Sequence, residues 1–321
     1  MEHKFIVSSS PHIHQKKSVS DIMLDVIIAL TPATLMGIYF FGMRAALVVL
    51  TAIISCVLSE YIYQRALRKT VTIGDLSAVV TGLLLGLNLP STIPLWMVVI
   101  GSIFAIVLVK QLYGGIGKNF LNPALAARCF MLAAWAGAMT LFAEPLAGID
   151  AISQATPLSI LKGISTGELP TIRDAFIGKI PGTIGETSTL MLLLGGFYLL
   201  FKRVINWKIP VFYLGTVALM TALFGNNQFN IDVLSYTALE LCCGGVMLAA
   251  IFMATDYTTT PTTKIGQIIF GIGCGALTFV IRVFGGYPEG SSFAILLMNL
   301  LTPLIDRYTI PKSFGEVRKN A

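Results

Sequence analysis

Apolar residues in this chain come in long blocks separated by polar connectors. A helix that crosses a bilayer needs about 20 mostly apolar residues. Ten blocks approach that length, near residues 22–41, 44–63, 74–90, 94–113, 122–142, 188–202, 209–224, 231–254, 265–284 and 291–306. The pattern predicts an all-α integral membrane protein with about ten transmembrane helices. Several blocks are short or interrupted by Gly and Pro, and the third ends in GLLLGLNLP. Breaks of this kind predict discontinuous helices around a buried site.

Composition agrees. Of 321 residues, 55% are hydrophobic and 12% charged, against about a quarter charged in soluble domains. The net charge of +6 does not point to nucleic acid, because the Lys and Arg residues fall between apolar blocks, where they set orientation in a bilayer. With residue 1 in the cytoplasm, the outside receives only Arg44, Lys162, Arg173, Lys179 and Arg282, and Arg128 lies inside a helix. The inside receives roughly three times as many. The expectation is an inner-membrane, multi-pass protein with both termini cytoplasmic and no secretory signal. Its parts are a leader (1–21), a first five-helix repeat (22–142), an extracytoplasmic loop (143–187), a second repeat (188–306) and a tail (307–321).

The repeat is visible in the sequence. PSTIPLWMVVIGSIFAIVLVKQLYGG (90–115) resembles PTTKIGQIIFGIGCGALTFVIRVFGG (261–286). In both, Pro-Ser/Thr-Thr leads into an apolar helix that ends in a basic residue and then Gly-Gly. Five helices per half require the two copies to insert with opposite polarity, an inverted repeat of the kind that surrounds a site at its interface.

Nucleotide motifs are absent in substance. GIGCG (271–275) lies within an apolar helix, where close helix packing explains it. GGIGKN (114–119) lacks P-loop spacing. Cys56, Cys129, Cys242, Cys243 and Cys274 fall in apolar blocks without CxxC or iron–sulfur spacing, and read as small buried hydrophobes. His3, His12 and His14 belong to the polar leader, so no metal site is expected.

The outer loop carries the chemistry. In IDAISQATPLSIL (149–161), Asp150, Ser153 and Thr156 bear groups able to exchange a proton, and Pro157 biases Thr156 to an extended backbone. PGTIGETS (181–188) ends where the sixth helix begins, so Thr187 or Ser188 is positioned to cap it and leave amides for an anion. A Thr with a nearby Asp suits a phosphoryl acceptor, and a bland loop explains the same residues.

Together with GKNFLNPALAARCF (117–130), FMATDYTTTP (252–261) and YPEGSSFAILLMNLLTPLID (287–306), these stretches resemble the D subunit of the Rnf complex, an ion-translocating ferredoxin:NAD+ oxidoreductase. It is homologous to the B subunit of the sodium-translocating NADH:quinone reductase, which carries a longer N-terminal extension. The resemblance implies covalent FMN, joined by a phosphoester to Thr156 and attached outside by a separate flavin transferase that draws on FAD. Asp150, Ser153, Ala155 and Thr156 match the motif, whereas Gln154 stands where the family often has Gly. Gly185, Glu186 and Thr187 are the further candidate flavin contacts. The resemblance also implies a second, non-covalent flavin such as riboflavin, and partner subunits with iron–sulfur, flavin and NAD-binding centres. Coupling to Na+ or H+ makes Asp75, Glu240 and Asp256 candidates for an ion pathway, since charge at bilayer depth is costly. The bland alternatives are an ion pair of Glu240 with Arg128, and Asp75 as a helix cap. A solute or ion channel or carrier of inverted-repeat fold without a redox cofactor is the rival functional reading.

Overall fold

The computed structural model describes residues 18–146, 153–225, 229 and 231–311. Helix α1 (Val19–Ala66) opens with a capping box, in which Ser18 accepts from the Asp21 amide and the Asp21 carboxylate accepts from the Ser18 amide. It breaks at Gly42, whose φ of 69° is left-handed, so the first two apolar blocks form one bent element. Helix α2 (Ser77–Leu87) is followed by α3 (Leu95–Ile103), which widens to π-helical geometry over Phe104–Gln111. Asn122 caps α4 (Pro123–Ala134) through the amides of Ala124 and Leu125, and α5 (Ala136–Met139) is a single turn.

The polar region holds a two-residue antiparallel pairing of β1 (Phe142–Ala143) with β2 (Ser153–Gln154), and two short helices, α6 (Pro157–Leu161) and α7 (Ile172–Ile177). Helices α8 (Thr189–Phe201) and α9 (Lys208–Phe224) follow. Next, α10 (Val233–Cys242) and α11 (Val246–Leu248, continued as a π-helix over Ala249–Met253) meet at a 67° bend. Helices α12 (Lys264–Phe284) and α13 (Ser291–Thr309) close the chain.

Among the described residues, α1 and α12 are long and apolar enough to cross a membrane, and the bent α10–α11 pair is a third span if counted as one. Five shorter apolar helices accompany them. The protein is therefore helical and membrane-type, with long apolar side chains outside. On α1, Leu35, Met43, Ile54 and Ile62 are exposed, while Ala29, Ala33, Ala45 and Ala52 are buried. That inside-out distribution of size lets backbones approach closely where lipid supplies no hydrophobic drive between helices.

Glycines mark the closest approaches. A Cβ at Gly82 would stand 2.7 Å from Ile53 Cα and 2.8 Å from Ala52 O, so α2 lies on the backbone of α1. The GIGCG stretch packs as expected: a Cβ at Gly271 or Gly275 would press on Ile209–Thr216 of α9, and one at Gly273 on Met298 of α13. One core runs through residues of α1, α2, α4, α8, α9, α12 and α13, so the two sequence halves share a single interior.

Gly82→Val is expected to destabilise the fold by about 1–3 kcal/mol through overpacking against immovable backbone. The thermal unfolding midpoint of the detergent-solubilised protein checks this, and an unchanged midpoint refutes it.

Candidate functional site

The segment after α7 folds back into the protein. Gly178 takes φ 110°, and a Cβ there would lie 2.6 Å from Thr187 O. The Ile184 amide donates to Leu89 O at 3.1 Å and the Gly185 amide to Leu87 O at 2.7 Å, docking the GETS turn on the broken end of α2. Gly185 has no room for a side chain, because its Cβ would meet Leu87 Cβ at 2.6 Å. Of the two candidate caps, Ser188 serves α8 by accepting from the Met191 amide at 3.4 Å. Thr187 instead donates to Ile184 O.

Thr156 is itself an N-cap. Its backbone is extended (φ −70°, ψ 150°), as Pro157 requires, and its Oγ1 accepts from the Ser159 amide at 3.3 Å. Half-buried, it lines a cavity of about 40 Å³ with Gly182, Glu186, Thr187, Gly244 and Glu289. The fold thus brings Thr156, Glu186 and Thr187 together. Ser153 lies in β2, Gln154 pairs with Phe142, Ala155 precedes Thr156, and Asp150 lies outside the described residues.

Behind this cavity sits a cluster of buried charge. Arg128 of α4 pairs with Glu186 at 3.0 Å and with Glu289, and also donates to Asn88 Oδ1 at 2.9 Å and Ser292 Oγ at 3.1 Å. Glu289 additionally accepts from the Gly245 amide and from Ser291. The pairing of Glu240 with Arg128 does not occur. Glu240, in the last turn of α10, bonds Arg282 of α12 at 2.7 Å, because α12 brings its terminal arginine to that helix end. Arg282 also donates to the carbonyls of Glu240 and Cys243. Beyond α6, the Lys162 ammonium is held by the carbonyls of Gly285 and Tyr287. Partial desolvation lowers its pKa, and the Glu240 carboxylate opposes that shift.

At the opposite end, a pocket of about 380 Å³ opens between α1, α2, α4 and the segment after Met253. Its polar lining includes Ser77, Lys110, Asn119, Asn122, Asp256 and Thr258. Asp256 accepts from the Thr258 and Thr259 hydroxyls at 3.1 and 3.4 Å. Asp75, two residues ahead of α2, accepts from the Ser77 amide at 2.8 Å and from its hydroxyl, while the N-cap position itself is Leu76. Ser77 also receives Lys110, which pairs with Glu60 at 2.9 Å in the interior. The three ion-pathway candidates therefore divide, with Asp75 and Asp256 at this end and Glu240 at the other. From its cap Ser188, next to cavity-lining Thr187, to Leu199 in the lining of the larger pocket, α8 covers about 17 Å at helical rise.

A family model described as the NQR2, RnfD, RnfE family matches residues 6–315. The chain belongs to that family. It is 49% identical over 320 residues to the D subunit of the Na(+)-translocating ferredoxin:NAD(+) oxidoreductase complex of Acetobacterium woodii, covering 98% of this chain and 97% of the relative. It is 46% identical to the D subunit of the proton-translocating ferredoxin:NAD(+) oxidoreductase complex of Clostridium ljungdahlii, with the same coverage. A third relative, the D subunit of the ion-translocating oxidoreductase complex of an Escherichia coli strain, is 36% identical over 349 residues, covering 97% and 98%.

Within this family member, sequence reasoning missed Glu60, Lys110 and Glu289 as buried partners and passed over Asn88 and Asn122. The available signal was charge inside or beside an apolar block, strongest for Glu60 in 44–63. Arg128→Leu leaves the Glu186 and Glu289 side chains without their shared cation and is expected to destabilise by about 3–5 kcal/mol. A thermal midpoint equal to the parent's overturns the assigned pairing.

Proposed function

We propose that the chain is the D-type membrane subunit of an ion-translocating ferredoxin:NAD+ oxidoreductase, and that it carries FMN as a phosphoester on Thr156. The observation that carries the reading is the convergence of Thr156, Glu186 and Thr187 on one cavity from separate parts of the chain. The residues fit the group. The Thr156 hydroxyl accepts one hydrogen bond and donates none among the described residues, so its hydrogen is open to replacement by phosphorus. The cavity is too small for a ring system and borders Gly182, where an added Cβ meets nothing within 4 Å, leaving room at its mouth. Bound FMN supplies one- and two-electron chemistry. The protein's part is to hold that group: Thr156 by its Oγ1, the docked GETS turn by bordering the attachment point. A separate flavin transferase forms the phosphoester from FAD. Iron–sulfur, flavin and NAD-binding subunits complete the reaction.

The inner pocket suits a second, non-covalent flavin such as riboflavin. Its volume of about 380 Å³ falls in the range of small-molecule sites, and its mixed lining of apolar walls with Asn119, Asn122 and Thr258 offers donors and acceptors at a ring edge. Electron passage between the two sites is coupled to a monovalent cation, Na+ or H+, the two ions borne in the names of the first two relatives. Asp256 with its two threonines, and Asp75 beside the Ser77–Lys110–Glu60 network, are the proposed groups at the inner end, and Glu240 the one at the outer end. Ten spans in two inverted halves, 22–142 and 188–306, with residues 143–187 outside and both termini inside, give this arrangement its orientation in the inner membrane.

Thr156→Val is expected to abolish covalent flavin while the protein still inserts, because Val keeps the shape and loses the hydroxyl. Mass spectrometry of the peptide containing Thr156 decides. Flavin mass on that peptide confirms the reading, and its absence from the native complex returns the chain to a cofactor-free carrier. For topology, Thr166→Cys should gain labelling by an impermeant thiol reagent in intact cells over the parent protein, and Asn206→Cys should not. Both positions are exposed, so the reverse pattern overturns the orientation.

A further inference from the structure

We infer that Glu186 and Glu289 share a single proton, forming a carboxylic acid–carboxylate pair beside Thr156, with the proton resident on Glu186. Both side chains line the same small cavity, and both carboxyl groups pair with the same Arg128 nitrogen, Nη2. They also converge on Gly245, where an added Cβ would collide with an oxygen of each. An ionised carboxylate only accepts hydrogen bonds, so two can bond to each other only if one holds a proton. Two like charges this close in a buried site do not both persist.

The surrounding charge fits one proton. Arg128 is the only Lys or Arg in ion-pair distance of either carboxylate among the described residues. Cys129 beside it is a free cysteine and brings no cation. On the far side, Arg282 is matched by Glu240 and two carbonyls, and Lys162 is spent on carbonyls. Tyr213 is tied to Thr278. One guanidinium therefore faces two carboxylates, and the surplus negative charge is the one the proton removes.

The donors decide which partner carries it. Glu289 receives Arg128, the Gly245 amide and Ser291, three donors that favour the ionised form. Glu186 is 5% exposed and lies at ion-pair distance from Arg128, yet its buried Oε1 has no aligned hydrogen-bond donor. A carboxyl so poorly provided with donors is the one that stays neutral. The shared proton does not depend on the flavin. Its use does: if Thr156 carries the phosphoester, an acid pair at that point can release or regain a proton as charge on the flavin changes.

The test is infrared spectroscopy of the purified full-length chain with carbon-13-labelled glutamate. The parent should show a protonated-carboxyl C=O band at neutral pH that moves with the label and in heavy water. Glu186→Gln and Glu289→Gln should each lose it, because one remaining carboxylate is then matched by Arg128. Thr156→Val should retain it, which separates failure of this inference from failure of the flavin assignment. Three results overturn the proposal: no labelled carboxyl band in the parent at neutral pH, a band that survives in both Gln variants, or a band abolished by sodium at constant pH. The first and third need no variant and stand even where a substitution prevents folding.

Discussion

The guanidinium of Arg128 ties four parts of the chain to α4: the broken end of α2 through Asn88, the docked turn through Glu186, the approach to α13 through Glu289, and α13 itself through Ser292. A planar fork with five donors can satisfy several acceptors at fixed angles, which an ammonium cannot. Those same segments form the wall behind Thr156. Glu186 reaches the cavity because it is held from behind, and Glu289 fastens Gly245 and with it the bend between α10 and α11. Without that cation, the Glu186–Glu289 pair would be buried with no counter-charge, and the turn that carries Glu186 would lose its anchor.

The need for such a cation follows from the shortness of the helices. Eleven residues of α2 cover about 16 Å, roughly half of a hydrocarbon layer. The rest of the path is irregular chain, whose polar groups must be met inside the protein. Asparagines do much of this. Asn88 donates to Leu84 O at the end of α2 and presents its oxygen to Arg128. Asn122 caps α4 and donates to Met253 O from the other half. The Glu60–Lys110–Ser77 network does the same service at the start of α2.

Apolar blocks and their interruptions were legible because hydrophobic length and Gly/Pro breaks act locally. The block starting at 74 begins its helix late, at Ser77, whose amide Asp75 binds, and the blocks at 22 and 44 are two helical stretches joined through Gly42, whose backbone is non-helical. Thr156, Glu186 and Thr187 were legible as a group through family resemblance, since nothing local links positions thirty residues apart. Partner choice was not legible. Glu240 was weighed against Arg128, but which arginine a buried glutamate meets depends on helix rotation and on where α12 ends, quantities that an apolar block of 265–284 does not encode.

The segment from Val246 to Met253 is where the two ends of the molecule meet physically. Just before it, the Gly245 amide binds Glu289 and the Cys243 carbonyl receives Arg282, both at the Thr156 end. At its other extremity, Met253 touches Asn88 and gives its carbonyl to Asn122, which lines the second, larger pocket. Between them, the residues are buried throughout and wound partly as a π-helix, a rare geometry that recurs at functional sites. Eight residues make a rod of about 12 Å. A gain or loss of a proton by the Glu186–Glu289 pair changes the acceptor of the amide just before this rod, and the carbonyl that ends it is bound by Asn122 of the second pocket's wall. Coupling between sites requires an element whose arrangement both of them bias. Of the described elements, this one is hydrogen-bonded to both.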